Sequence, residues 1–87
     1  MAYTVTFTPA GEKSLAKLDH SVARRIRAKV LALAVTPRPS GCVKLHGYSD
    51  LYRIRIGEYR VIYQINDPQQ VVEVAFAAHR RKVYRDV

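Results

Sequence analysis

Arginines crowd one short stretch of this chain. Arg53 and Arg55 lie two apart just before Gly57-Glu58, and Arg60 follows soon after. A second group sits further on, where His79, Arg80 and Arg81 precede Tyr84 and Arg85. Guanidinium groups make paired, charge-assisted hydrogen bonds to phosphate. Positive neighbours favour the phenolate form of a tyrosine, and histidine can give or take a proton near neutral pH. Together these parts suit the cutting of an RNA phosphodiester with the RNA's own 2′-hydroxyl as nucleophile. That reaction needs a proton acceptor for the hydroxyl, cations for the pentacoordinate phosphate and a proton donor for the leaving oxygen. It needs no metal or cofactor if cationic side chains carry the charge.

Composition agrees with an anionic partner. Fifteen Lys and Arg against seven acids give a net charge of +8 on 87 residues, a field that attracts phosphate polyanions and acidic proteins. The length suits a single domain over 1–87. Nearly half the residues are apolar, a globular composition. Cys42 is the single cysteine, so neither an intrachain disulfide nor a cysteine-based zinc site is expected. His20, His46 and His79 lack metal-ligand spacing. No glycine-rich phosphate loop or HExxH motif is present. No segment reads as a leader or a membrane span, which makes the cytoplasm the expected location and a membrane partner unexpected.

The elements that must position these residues follow from their patterns. Tyr3 to Thr8 alternates as a half-buried strand. Thr8-Pro9 reads as a helix cap followed by proline at the first helical position. A short helix carries Leu15 and Leu18. Asp19-His20-Ser21 breaks it, and Val22, Ile26, Val30 and Leu33 mark a second, longer helix. Thr36 to Gly41 is a loop. Three strands follow, over 51–56, 59–65 and 71–78, and a short helical turn closes the chain. This is an α+β domain of the order β-α-α-β-β-β, with two helices on one face of a mainly antiparallel sheet of about four strands.

With Gly57-Glu58 as a two-residue turn, Arg55 faces Arg60, Ile54 faces Val61 and Tyr52 faces Tyr63. Tyr52, Ile54, Ile56, Tyr59, Val61 and Tyr63 then form a core face. Arg53, Arg55, Arg60, Ile62 and Gln64 form the opposite face. Like charges directly opposite each other destabilise a hairpin. Glu58, Asp50 or Glu73 could neutralise one arginine, but three on one face of a chain at +8 favour an external anion. If Ile65 pairs near Val72, strict alternation sends Val72, Val74 and Phe76 to the core. It sends Glu73, Ala75 and Ala77 to the arginine face, with His79 in the same parity.

The stretch KLHGYSDLYRIRIGEYRVIYQI, residues 44–65, and AHRRKVYR, residues 78–85, resemble the RelE toxins of bacterial toxin–antitoxin pairs. The order of elements extends the resemblance over nearly the whole chain. It implies metal-independent cleavage of messenger RNA in the ribosomal A site, and a cognate antitoxin that wraps the toxin. It assigns catalysis to Arg60, Arg80 and Tyr84, with Arg81 as the alternative to Arg80. It assigns RNA binding to Lys44, Arg53, Arg55, His79 and Arg81, with His46 in the same segment as Lys44. His79 stands where some relatives have lysine, so the general acid and base stay open among Tyr84, His79 and Arg80. Two competing readings are a ParE-type inhibitor of DNA gyrase, which shares the fold, and a non-catalytic RNA- or ribosome-binding module. The antitoxin is expected to lay an acidic or amphipathic helix over Arg24 to Lys29 or over the hairpin.

Overall fold

The computed structural model describes residues 2–48 and 50–81. Strand β1 (Thr4–Phe7) leads into helix α1 (Pro9–Ala16), helix α2 (His20–Leu31) and a 3-10 turn (Ala32–Ala34). The remaining strands are β2 (Val43–Lys44), β3 (Leu51–Ile56), β4 (Tyr59–Asn66) and β5 (Val71–His79). They form one sheet in the order β1-β5-β4-β3-β2. Three of its pairings are antiparallel, and β1 lies parallel to β5. The sheet therefore has five strands rather than about four, and it is mixed. The extra strand is the two-residue β2, too short to show alternation. The parallel edge arises because β1 docks beside the last strand.

Local chemistry fixes the entry to α1. Thr8 Oγ accepts a hydrogen bond from the Gly11 N–H at 2.9 Å, and Pro9 opens the helix. Both features are those the Thr8-Pro9 pair predicts. Gly11 lets α1 lie directly on β5, because a Cβ there would run into the Val74 carbonyl oxygen. Helix residues Leu15, Ile26, Val30 and Leu33 are buried against Ile54, Val61, Tyr63, Val72 and Val74. That cluster is the core, and it lies wholly on one face of the sheet.

The hairpin has the expected register: Ile56 pairs with Tyr59, Arg55 with Arg60, Ile54 with Val61 and Tyr52 with Tyr63. Gly57 takes a positive φ of 61° while Glu58 does not, the pattern of a turn with glycine at its first central position. Ile65 also pairs with Val72 as expected. The alternation then breaks. Tyr63 pairs with Val74 but Ile62 pairs with Phe76, so Ala75 is an extra residue in β5. A β-bulge of this kind re-aims every side chain beyond it. Phe76 is consequently carried off the core face, where strict alternation places it, and Ala77 enters the core instead.

The bulge is held by α1. Ser14 Oγ accepts from the Ala77 N–H at 3.0 Å and donates to the Gly11 carbonyl at 2.8 Å. Thr8 donates its N–H to the Val74 carbonyl at 2.9 Å. Among the described residues no buried side-chain nitrogen or oxygen lacks a hydrogen-bond partner.

A polar network secures the other end of the sheet. Arg38 donates to both carboxylate oxygens of Asp67, at 2.9 and 3.3 Å, and to Tyr52 Oη at 3.1 Å. Tyr3 Oη donates to Asp67, and Tyr63 Oη donates to the Pro37 carbonyl at 2.7 Å. Arg38 and Tyr3 hold the Asp67 carboxyl below its usual range. Burial pushes the Tyr63 phenol above its ordinary value. The loop after α2 is thereby pinned across β1, β3 and β4.

Candidate nucleic-acid interface

The two faces of the sheet differ sharply in chemistry. Helices cover the core face. The other face carries Arg53 and Arg55 on β3 and Arg60 on β4, with Arg55 directly opposite Arg60. Arg55 is exposed and Arg53 half-buried, but Arg60 is only 3% exposed. Its Nη1 donates to the Tyr59 carbonyl at 3.4 Å. A guanidinium so enclosed is pre-oriented, and a fixed cation stabilises developing charge without reorganising. Arg60 also faces Ala78 on β5.

Arg80 continues the β5 register past the strand's end. Its N–H donates to the Glu58 carbonyl at 2.9 Å, and its Nε lies 3.1 Å from Glu58 Oε2. The turn acid expected among the neutralisers of the hairpin arginines thus pairs with Arg80. Both partners are about half exposed, so the pair orients more than it stabilises. The bond places Arg80 at the hairpin tip, at the same end of the sheet as the Arg55–Arg60 rung. Arg25 of α2 reaches this tip as well, since its guanidinium packs beside Gly57. Arg81 is exposed and follows Arg80 in a helical turn. Tyr84 lies outside the described residues.

Two expected contact residues fall elsewhere. His79 pairs with Tyr59, and their rings meet edge to face at 5.5 Å. The bulge gives His79 the parity of the helix-covered face, away from Arg53, Arg55 and Arg60. Its Nδ1 accepts from the Arg81 N–H at 3.4 Å. Lys44 pairs with Tyr52 on the edge strand, so it too has the parity opposite to the arginines, although it is exposed. His46 lies in the exposed turn beyond β2. The sequence reading also passed over Arg38. Its partner Asp67 is 29 positions away, a separation that no local spacing betrays. Among the described residues no three His, Cys, Asp or Glu side chains gather as a metal site. No helix among them is long and apolar enough to cross a membrane.

Comparison with known proteins fits this geometry. A family model described as the ParE toxin of a type II toxin–antitoxin system matches residues 5–84. The mRNA interferase toxin RelE of Escherichia coli K12 is 31% identical over 84 residues, spanning 94% of this chain and 87% of that protein. The chain belongs to the RelE/ParE family of type II toxins. RelE-type structures share its fold. The archaeal RelE of the RelE–RelB complex from Pyrococcus horikoshii is 33% identical with a TM-score of 0.78, covering 92% of this chain and 97% of that one. A chain of the RelBE2 toxin–antitoxin complex from Mycobacterium tuberculosis is 26% identical with a TM-score of 0.83, covering 92% of this chain and 100% of that one. As a RelE-like toxin, the protein carries a basic sheet face, opposite the helices among the described residues, on a scaffold its relatives share.

Proposed function

We propose that this RelE-family toxin is an endoribonuclease that cuts messenger RNA and so stops translation. The reading rests chiefly on one observation: among the described residues, three arginines share the sheet face opposite the helix-packed core. Similarity to a protein named mRNA interferase supports it. Arg53 and Arg55 hold the RNA backbone. Arg60 stabilises the pentacoordinate phosphate, and Arg80, oriented by Glu58, neutralises charge on the scissile group. The RNA 2′-oxygen attacks phosphorus as the Tyr84 phenolate takes its proton; the P–O5′ bond breaks, and the 5′-oxygen leaves as an alcohol with a proton from water, to which Tyr84 later returns its own. The products are a 2′,3′-cyclic phosphate and a 5′-hydroxyl end. His79, turned to the helix side, holds the Tyr59 ring and takes no part in the proton transfers.

Messenger in the A site of the ribosome is the proposed substrate, which places the toxin in the cytoplasm. A cognate antitoxin neutralises it, as RelB accompanies RelE in the complexes of its relatives. The basic α2 surface, with Arg24, Arg25 and Lys29 exposed, supplies charge for an acidic antitoxin helix.

The family model's ParE description favours a second reading, inhibition of DNA gyrase. The two separate by product. New RNA ends bearing a 5′-hydroxyl, with gyrase supercoiling unaffected, are the expected result. Inhibited supercoiling with intact messenger would overturn the ribonuclease reading.

A further inference from the structure

The bulge at Ala75 does more than change a register. It takes the one aromatic of β5 out of the core and sets it on the arginine face. There Phe76 pairs with Ile62, while Ala78, two residues on, pairs with Arg60. Phe76 is thus the diagonal neighbour of Arg60, roughly 7–8 Å away along the sheet surface. Its ring is partly exposed, and it packs on a second small apolar cluster of Ile62 and Ala78, flanked by Leu45 and Leu51. This cluster is separate from the core and shares the parity of the arginine face, and Phe76 and Ala78 also border a hollow lined by Ala10, Lys13 and Lys17 of α1. An aromatic ring backed by apolar side chains and bordered by arginines has the make-up of a stacking platform for unpaired bases.

We infer that Phe76 stacks on a nucleobase of the RNA strand whose phosphate is held at Arg60, making a base subsite beside the scissile bond. The inference rests on the ribonuclease reading above. It names a contact through the face of a base, which tolerates any base identity because every base offers a π-face.

The test uses the full toxin on ribosomes carrying a labelled synthetic messenger, with each A-site nucleotide replaced in turn by an abasic one. Phe76→Leu keeps the apolar packing and removes the ring. It is expected to lower kcat/KM roughly tenfold, in line with the loss of one stacked base, and Phe76→Tyr is expected to recover most of that loss. At one codon position the abasic messenger should bring the wild type to the level of Phe76→Leu, and Phe76→Leu should lose nothing further there. Equal losses for Phe76→Leu on intact and abasic messengers at every position would overturn the inference, as would no loss at all. A second measurement is independent of cleavage. The chain contains no tryptophan, so Phe76→Trp carries a single reporter, and its fluorescence should be quenched when a single-stranded RNA oligonucleotide is added. Absence of quenching while RNA binds overturns the stacking contact alone. An uncut messenger with quenching intact would sink the ribonuclease reading and leave the base contact standing.

Discussion

Replacing Ser14 by alanine removes the group that closes the bulge in β5. The serine is 7% exposed, and its Oγ both accepts from the Ala77 N–H and donates to the Gly11 carbonyl. Alanine fits the same space but leaves the Ala77 N–H buried without a partner. An unsatisfied buried donor costs about 1–3 kcal/mol. Alanine's better helix propensity returns roughly 0.5 kcal/mol, so the net loss should be about 0.5–2.5 kcal/mol, centred on about 1.5. In a domain of this size that lowers Tm by roughly 5–15 °C. Urea and thermal unfolding followed by circular dichroism measure it, with the denaturant slope unchanged. Amide exchange at Ala77 should accelerate more than at Val61, which pairs with it. A change within about 0.5 kcal/mol, as at an ordinary surface site, would refute the claim that α1 holds the bulge.

Gly11→Ala should destabilise by about 1–3 kcal/mol through overpacking, because the new Cβ meets the Val74 carbonyl; chemical denaturation reads this directly. Glu58→Ala should change stability by under about 1 kcal/mol, since the pair with Arg80 is half exposed, yet it should slow RNA cleavage several-fold, and the slowing should vanish in an Arg80→Ala background. The Asp67 carboxyl titrates below its usual range because of Arg38 and Tyr3. Its contribution to stability is therefore complete above the ordinary carboxylate range and is lost as pH falls through the depressed value. Asp67→Asn should flatten that acid-side loss in melting temperatures followed from neutral pH down to about pH 2, and an unchanged acid profile would count against the network.

The hairpin was legible because its signals agree. Gly57 demands its turn, and residues 51–65 alternate cleanly on both sides of it, so one register satisfies both. Thr8-Pro9 was legible for the same reason: capping chemistry is local. The bulge was not, because Val71 to Ala78 is almost continuously apolar and an unbroken apolar run looks the same in either register. Only tertiary partners, Ser14 and Thr8 on a distant part of the chain, select Ala75 as the extra residue. The fate of Phe76, Ala77 and His79 followed from that one choice, and a single inserted residue reverses every later side chain. Lys44 rested on the family resemblance alone, because a two-residue strand carries no alternation from which to read its face. For the candidate site, residue types and the Arg55–Arg60 pairing were visible in the sequence. The near-complete burial of Arg60 and the Arg80–Glu58 bond depend on packing.

In the proposed function, this basic face cuts messenger RNA. Purified toxin should be added to ribosomes translating a defined messenger, and new ends mapped by primer extension. Wild type, Arg60→Ala and Tyr84→Phe should be run in parallel, with melting curves establishing that each variant is folded. The expected result is codon-phased cuts with the wild type that are lost or severely reduced in both folded variants. Cuts of equal strength in Arg60→Ala, or an intact messenger with wild-type toxin, would contradict it.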